Sequence, residues 1–483
     1  MSLMRTKPID PNANTGLKRC LTAFDLTLLG IGCIIGTGIF VLTGVAAAQN
    51  AGPAIILSFV ISGTACAFAA LCYAELSSAI GGSGSAYGYA YAGIGELVAW
   101  IIGWMLVLEY SVATATVSIG WSGYLAKILD GFFGITLPVE FTSAPGEIHG
   151  VNSIANIPAM LIVLALAGLL SWGVKESARF NGAMVMVKLA TIMAFIAIAG
   201  PHVNPDNWHP FIPERVVGPD GVAHFGFLGV TTAAALIFFA YIGFDAVSTA
   251  GEEAVNSQRD LPIGILASLA ICTVLYIIVS GILTGVVPYA QIDIKAPVAA
   301  ALGSLGMPWG QGLIATGAIF GITTVMLVLY YGLTRVVLAM SRDGLLPAGM
   351  ATIHPRTLTP VRLIIGSGLV IALISGFFPI GKVASLVNLG TLGAFFLVCA
   401  SVIALRKTRP DMKRPFKVPL VPWIPILGMG FCFWLMVSLP LATWIAFAIW
   451  MTLGMVVYFV YSRSHAVTGK DVIAEAMPTR LGG

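Results

Sequence analysis

Apolar runs long enough to cross a lipid bilayer recur along nearly the whole chain. A transmembrane helix needs about 20 consecutive apolar residues, and the first such run begins near Phe24. Short polar segments that hold most prolines, acids and bases separate the runs. The pattern predicts twelve transmembrane helices, near residues 23–49, 53–79, 97–126, 156–174, 181–200, 228–253, 263–288, 310–338, 360–377, 383–405, 422–438 and 441–462.

The basic residues between these runs predict how the chain crosses the membrane. With the amino terminus placed in the cytoplasm, 20 of the 25 lysines and arginines fall on the cytoplasmic side, 4 fall outside and 1, Lys188, lies within a predicted helix. Cytoplasmic loops carry an excess of Lys and Arg. We therefore expect cytoplasmic tails at 1–22 and 463–483, around a single transmembrane domain at 23–462 in the plasma membrane.

The composition supports a membrane protein. Hydrophobic residues make up 58% and charged residues 10% of the 483 positions, and the mean hydropathy is +0.94. A soluble domain carries about 25% charged residues, so this chain has too little polar surface for one. The net charge of +4 is distributed by topology and predicts no nucleic-acid partner. No cysteine pair has CxxC spacing and the histidines lie in connecting segments, so no metal or other cofactor is expected.

The predicted helices suggest an internal repeat. Helices one to five occupy 23–200 and helices six to ten occupy 228–405, so that each block spans 178 residues. Five helices per block make the second block enter the membrane from the opposite side. Folds with such inverted repeats bind substrate near the membrane midplane, between discontinuous helices. Helices eleven and twelve, at 422–462, lie outside the repeat.

The first predicted helix has a glycine-rich centre. Gly36, Thr37 and Gly38 interrupt an otherwise apolar run, and glycine costs about 1 kcal/mol relative to alanine within a helix. This composition favours an unwound segment whose backbone N–H groups need a partner in the membrane. A substrate carboxylate at the start of the following half-helix would be such a partner. Close helix packing is the open alternative, because Gly32-x-x-x-Gly36 also fits a small-residue packing motif.

The sixth predicted helix contains a second candidate break, at Gly243. Phe239 precedes this glycine and Asp245 follows it, and packing of the aromatic ring is the alternative to a gating role. The predicted fold is therefore an all-α integral membrane protein of twelve transmembrane helices, with a five-plus-five inverted repeat and broken helices one and six.

Two further ionisable residues lie within predicted helices. Glu109 lies near mid-membrane in helix three, about 12 residues from its start. An acid there costs about 2.5–3.5 kcal/mol, so it faces the interior, either in a side-chain pocket or as a protonated acid bonded to a neighbouring helix. Lys188 lies roughly 10 Å inside helix five. It either snorkels to the headgroups or faces the interior, where it could gain and lose a proton.

Several motifs occur in a fixed order along the chain. They are GIGCIIGTGIFVLTG (30–44), GGSGSAYGYAYAGIGE (81–96), GWMLVLEY (103–110), GVKESARFN (173–181), GEEAVNSQRDLPIGI (251–265) and SRDGLLP (341–347). With this ordered set the chain resembles the amino acid–polyamine–organocation (APC) transporter superfamily and, within it, a bacterial member of the cationic amino acid transporter family. The resemblance runs from about Leu21 to Tyr461.

The resemblance implies that substrate contacts lie at both breaks. The α-carboxylate would meet the first break, mainly through the backbone, at Ile34, Thr37 and Gly38. The α-ammonium would meet carbonyl groups of the second break, at Phe239, Ala240 and Ile242. Phe239 would also be an aromatic gate.

The predicted function is proton-coupled uptake of L-amino acids, cationic or small neutral ones such as alanine, by alternating access. Related proton-coupled transporters carry a lysine on helix five, which Lys188 resembles, and Glu109 could neutralise a cationic side chain. The expected partners are the amino acid, protons and membrane lipids. Obligate amino acid exchange without net proton movement is the alternative.

Two other classes are disfavoured by the sequence. A channel would need a TVGYG-like filter or an acidic ring, and the sequence contains neither. No enzymatic activity is expected, because the predicted helices hold no metal cluster and no pairing of a nucleophile with a base.

Overall fold

The computed structural model describes most of the transmembrane region. The described residues are 21–80, 85–93, 95–148, 152–171, 178–217, 223–252, 254–352, 354 and 359–466. Nearly all of the two predicted tails therefore lies outside the described residues.

Helices make up about four fifths of the described residues. The α-helices are α1 (Ala23–Ile34), α2 (Thr43–Ala46), α3 (Ile55–Ile80), α4 (Ser85–Gly93), α5 (Glu96–Phe133), α6 (Ile157–Ser171), α7 (Ala178–Ala199), α8 (Gly226–Ile237), α9 (Ser257–Val286), α10 (Pro297–Ser304), α11 (Pro308–Arg342), α12 (Val361–Phe377), α13 (Ile380–Thr408), α14 (Trp423–Val437), α15 (Leu441–Val457) and α16 (Arg463–His465). Turns of π-helix lie at Gly38–Leu42, Ala47–Ala51 and Tyr458–Ser462. Two short strands, β1 (Val216–Val217) and β2 (Ala223–His224), pair antiparallel.

These helices have the length and polarity of membrane spans. Within the described ranges, 8 helical stretches are long and apolar enough to cross a membrane, and shorter apolar helices add α1, α6, α12 and α14. The outer helices leave large apolar side chains exposed, such as Leu161, Leu373, Phe433 and Ile449, as expected of a surface that faces lipid. The prediction of an all-helical membrane protein is confirmed. The number of crossings and the inverted repeat stay predictions.

The predicted helix ends differ from the observed ones in a few places. Helix α5 extends to Phe133, beyond the predicted end at 126, because polar residues such as Lys127 and Asp130 continue the helix past the apolar run. Helices α4 and α10 were not predicted, because both are too short to register as apolar spans.

The connections define two faces of the helix bundle. We call the face with the starts of α1 and α5 the tail face, and the face with segments 134–148 and 200–217 the loop face. On the loop face the segment after α7 caps the end of α9, where the N–H of Asn204 donates to the carbonyl of Gly285 at 2.9 Å. Helix α5 lies in the middle of the bundle and packs against α4, α6, α11, α12 and α13.

Stacked tryptophans hold α15 against α5. The rings of Trp100 and Trp104 stack with centroids 5.4 Å apart, and those of Trp104 and Trp450 stack at 4.6 Å. Indole N–H groups bond reciprocally, since Trp104 donates to the carbonyl of Trp450 at 2.9 Å and Trp450 donates to that of Trp104 at 3.2 Å. Gly454 makes room for this contact, because a β-carbon there would overlap the indole of Trp104.

On the tail face, the buried carboxylate of Glu75 links α3 to the segment after α13 through hydrogen bonds and ion pairs. Glu75 of α3 is 2% exposed, and its carboxylate accepts hydrogen bonds from Arg406 at 2.6 and 3.0 Å. Arg414 adds a longer ion pair at 3.4 Å. The N–H of Val418 also donates to this carboxylate at 2.7 Å. One side chain of α3 thus holds both the end of α13 and the connection toward α14.

Candidate functional site

The first helix is interrupted at its glycine-rich centre. Helix α1 ends at Ile34, and the next residue, Ile35, is extended with φ −74° and ψ 104°. Helical structure resumes with the π-turn that begins at Gly38. The N–H of Gly36 donates no hydrogen bond to a described residue. The hydroxyl of Thr37 donates to the carbonyl of Val117 on α5 at 3.3 Å, which anchors the unwound segment to the middle of the bundle.

The second break lies at Ile242 and Gly243, and the sequence predicted it at Gly243 of the sixth helix. Helix α8 ends at Ile237 and continues as a 3₁₀ turn to Tyr241, after which Ile242 is extended with ψ 134°. Gly243 has φ +116°, a backbone conformation that residues other than glycine rarely adopt. A second 3₁₀ segment begins at Asp245, whose carboxylate accepts the N–H of Gly243 at 3.2 Å.

The two breaks contact each other directly and enclose a small cavity. A β-carbon at Gly38 would overlap the Cα of Ala240. The cavity is lined by Cys33, Ile34, Gly36, Thr37, Gly38, Ala113, Val117, Phe239, Ile242, Val325 and Leu329. Its volume is about 10 Å³, which is space for one water molecule. The structure is therefore a closed state in which an amino acid fits only after the breaks separate.

Seven residues predicted from the sequence thus come together. Six of them, Ile34, Gly36, Thr37, Gly38, Phe239 and Ile242, line the cavity, and Ala240 packs on Gly38. Gly38 lies at the break and also permits a close contact with the second break, whereas packing through Gly32 and Gly36 stays a prediction. The binding roles of these residues remain predictions.

This close contact predicts that Gly38→Ala impairs transport. The added methyl group has to push the two breaks apart, and overpacking of this kind costs about 1–3 kcal/mol. We expect substrate uptake by reconstituted protein to fall about tenfold, since 1.4 kcal/mol corresponds to a factor of ten. Gly131→Ala is the matched control, because a β-carbon there meets nothing within 4 Å. Equal uptake by the two variants would contradict the prediction.

A tyrosine that sequence reasoning missed joins the two breaks. The hydroxyl of Tyr276, on α9, lies 2.9 Å from the carbonyl oxygen of Ile34 and 2.9 Å from that of Ala240. A hydroxyl carries a single hydrogen, so it can fully satisfy one of these carbonyls at a time. The other keeps a lone pair for another donor, such as an ammonium group. In the sequence Tyr276 is one aromatic residue within an apolar run, and no pattern connects it with positions 34 and 240.

Tyr276→Phe is predicted to weaken substrate binding without unfolding the protein. The variant loses one buried hydrogen bond, worth about 1 kcal/mol, and loosens the spacing between the two carbonyls. We expect the KM for uptake to rise several-fold. Tyr458→Phe is the control, because the hydroxyl of Tyr458, in the π-turn after α15, donates to Glu96 at the start of α5 at 3.0 Å. A KM that rises equally in both variants would count against the role of Tyr276.

Lys188 faces the interior of the bundle. Its side chain is fully buried, and its ammonium donates to the carbonyl of Gly32 on α1 at 2.6 Å. The aliphatic stem lies against Gly321 of α11. The position excludes snorkelling to the headgroups in this state and places the amine one turn before the first break.

Glu109 lies beside the cavity rather than in its lining. Ala113, one helical turn further along α5, is a lining residue. Glu109 is fully buried, and neither carboxyl oxygen has a hydrogen-bond partner among the described residues. Its role in a side-chain pocket therefore remains a prediction that this closed state does not display.

Side-chain contacts bridge neighbouring elements on both faces of the bundle. On the tail face, Tyr87 of α4 donates to the carboxylate of Asp343 at 2.8 Å. On the loop face, Lys127 pairs with Asp293 at 2.7 Å. Burial alone would raise the pKa of Asp293, but its hydrogen bond with Lys127 and the charge of that lysine hold the pKa below its usual value. A larger cavity of about 1360 Å³ reaches Val41 of the first helix.

The family of the chain follows from comparison with known proteins. A sequence model of the amino acid permease family, AA_permease_2, matches residues 21–474. The chain belongs to this family. The match covers the described transmembrane region, including both breaks, and agrees with the APC superfamily resemblance seen in the motifs.

Individual relatives extend over most of the chain. A methylthioribose transporter of Bacillus subtilis is 50% identical over 473 residues, which are 97% of this chain and 100% of that protein. The branched-chain amino acid permease BcaP of the same organism is 51% identical over 451 residues, or 93% of this chain and 94% of the relative. A vacuolar cationic amino acid transporter of Arabidopsis thaliana is 37% identical over 419 residues, which are 85% of this chain and 68% of that protein.

Membership in this family decides between the broad classes considered from the sequence. The relatives are transporters, so the prediction of a multi-pass membrane transporter rather than an enzyme is confirmed. The preferred substrate and the coupling ion are finer questions that the family alone leaves open.

Proposed function

We propose that the protein is a secondary active transporter that moves L-amino acids across the plasma membrane by alternating access. The observation that carries this proposal is the meeting of two helix breaks at one central cavity. The first break offers the N–H of Gly36 and the carbonyl of Ile34, the second break offers the carbonyl of Ala240, and the hydroxyl of Tyr276 lies between the two carbonyls. Donors and acceptors at one site suit the carboxylate and the ammonium of a zwitterion.

Each break has a proposed role in binding. The α-carboxylate binds at the first break, where the contact residues are Ile34, Gly36, Thr37 and Gly38. The α-ammonium binds at the second break, where the contact residues are Phe239, Ala240 and Ile242. Phe239 acts as the gate, because its ring lines the cavity and has to move before the cavity can enlarge.

The proposed architecture is the one predicted from the sequence. The inverted repeats span 23–200 and 228–405, with twelve crossings and both tails in the cytoplasm. The tail face is then cytoplasmic and carries the basic segment after α13, as the distribution of positive charge favours. Membrane lipids contact the exposed apolar side chains of the outer helices.

Proton coupling is assigned to Lys188. A protonated amine bonded to the carbonyl of Gly32 stabilises the end of α1 before the break. Loss of the proton removes the positive charge and weakens this hydrogen bond, which links protonation to the geometry of the carboxylate site. Obligate exchange of amino acids without net proton movement is the alternative.

Reconstituted protein in liposomes tests the transport and coupling parts separately. We expect uptake of labelled alanine to rise with an inward proton gradient and to be unaffected by sodium. Uptake that requires sodium and ignores the proton gradient would reject proton coupling. Counterflow in the absence of any net uptake would favour the exchanger.

A competition panel identifies the substrate. The relatives are named for branched-chain amino acids, cationic amino acids and methylthioribose. Labelled alanine, leucine, arginine and methylthioribose are therefore compared first, and the one taken up fastest is challenged with unlabelled alanine, leucine, arginine, lysine, glutamate and methylthioribose. Competition by arginine and lysine alone would give Glu109 the role of side-chain partner. Competition by alanine and leucine would assign a neutral substrate, and competition by methylthioribose alone would reject the amino acid assignment.

A further inference from the structure

Three buried polar side chains lie together beside the central cavity. They are Tyr73 of α3, Glu109 of α5 and Asp245 at the start of the 3₁₀ segment after the second break, and each is at most 1% exposed. Four of their oxygen atoms have no hydrogen-bond partner in the described part of the chain, namely the Tyr73 hydroxyl, both carboxyl oxygens of Glu109 and Oδ2 of Asp245. The rings of Tyr73 and Phe244, the residue before Asp245, lie 5.9 Å apart, and both rings contact Phe395 of α13. Glu109 reaches the same part of α13, because Thr391, one helical turn before Phe395, lies beside it.

Among the described residues, no basic side chain forms an ion pair with either acid. The titratable side chains that interact with the cluster are Cys66 of α3, Tyr89 of α4 and Tyr110 of α5. All of these are neutral at pH 7. Thr391 of α13 is also close, but its hydroxyl already donates to the carbonyl of Val387 at 3.2 Å.

Two ionised carboxylates cannot persist in this setting. Each buried charge costs several kcal/mol unless an opposite charge and hydrogen bonds compensate it. A second negative charge nearby raises that cost further and favours protonation of one acid. Asp245 is the better candidate for the ionised member, because its Oδ1 accepts the N–H of Gly243 at 3.2 Å. Glu109 accepts no such bond and is the better proton carrier.

We propose that Glu109, Asp245 and Tyr73 form a second proton-binding site, separate from Lys188. This second site holds at least one proton in the closed state at neutral pH. The site is coupled mechanically to the second break, since Asp245 bonds to Gly243 within that break. The following segment is contacted by α4, where the hydroxyl of Tyr89 donates to the carbonyl of Ser248 at 3.3 Å.

Opening toward the tail face would release this proton. Separation of α4 from the 3₁₀ segment admits water to the cluster, and water solvates the second carboxylate. The O–H bond of the protonated carboxylic acid then breaks and the proton passes to water. Both carboxyl groups are then ionised. Only this release step rests on the proposed transport function. The binding of a proton in the closed state does not.

Infrared spectroscopy of the full chain in lipid tests the proposal. A protonated carboxylic acid has a carbonyl stretch distinct from that of a carboxylate, and the band shifts in D₂O. We expect such a band at pH 7, lost in Glu109→Gln, and lost or shifted in Asp245→Asn, which retains an oxygen for the N–H of Gly243. Glu140→Gln is the control, because the carboxyl group of Glu140 is exposed on the loop face and should contribute no buried protonated acid.

The outcomes separate this inference from the proposed function. A band that both cluster variants leave unchanged, or no protonated band at pH 7, overturns the proton site. Asp245→Asn keeps the test decisive where Glu109→Gln does not fold. Proton-driven uptake with no such band would overturn the site and leave the coupling through Lys188 standing. An intact band in a protein that ignores proton gradients would support the site and reject proton coupling.

Discussion

Lys188→Met is expected to abolish uptake driven by a proton gradient while counterflow of the amino acid persists. Methionine preserves much of the buried stem volume but removes the ammonium that donates to Gly32 at 2.6 Å. The unpaired carbonyl costs about 1–3 kcal/mol, and no titratable amine remains on α7 next to α1. We expect at least about a tenfold fall in proton-driven uptake, because a 1.4 kcal/mol penalty already corresponds to that factor.

The measurement compares two assays on the same reconstituted variant. Proton-driven uptake reports coupling, and counterflow at equal pH reports the exchange of substrate through the site. Lys382→Met is the control, because Lys382 is exposed on the loop face and should leave both assays unchanged. Full proton-driven uptake by Lys188→Met would remove this lysine from the coupling mechanism.

The second large effect concerns stability. Glu75→Gln is expected to lower the free energy of unfolding by about 3 kcal/mol, because removal of one partner of a buried ion pair leaves the others uncompensated. The cationic groups left behind are Arg406 and the nearly buried Arg414. Their bonds to Glu75 are the ones that hold α3, α13 and the segment before α14 together.

Thermal stability of detergent-solubilised protein provides the measurement. The midpoint for loss of the monodisperse peak after heating should fall by several degrees in Glu75→Gln. Glu140→Gln is the control, because Glu140 is exposed on the loop face and forms no ion pair with a described residue. An unchanged midpoint would mean that the arginines find other partners and that this cluster contributes little to stability.

The membrane fold and the first break were predictable for simple physical reasons. The length of an apolar run matches the thickness of the bilayer, so the helical segments could be placed from the positions of these runs. Gly36 and Gly38 lie two residues apart in one run, which is a local signal for an interruption. The second break is less legible, because its decisive conformation is the positive φ of one residue, Gly243.

Contacts between distant segments could not be predicted. Tyr276 is important because its hydroxyl lies close to the carbonyl groups of residues 34 and 240. Every residue has a backbone carbonyl, so the sequence does not indicate which ones this hydroxyl contacts. The same limit applies to Tyr73 and Asp245, whose proximity to Glu109 depends on how three separate elements pack. Lys188 was identifiable because a charge inside an apolar run is conspicuous, yet its acceptor, the carbonyl of Gly32, was not.

The stacked tryptophans between α5 and α15 have an optical consequence. Indole rings whose planes lie 21° and 18° apart, at 5.4 and 4.6 Å, couple their electronic transitions. The near-ultraviolet circular dichroism of the protein should therefore contain an exciton signal from Trp100, Trp104 and Trp450. Because Gly454 permits this stacking, Gly454→Leu should extinguish the signal. The packing of α15 against α5 can thus be measured through these tryptophans, without an added fluorophore or a substrate.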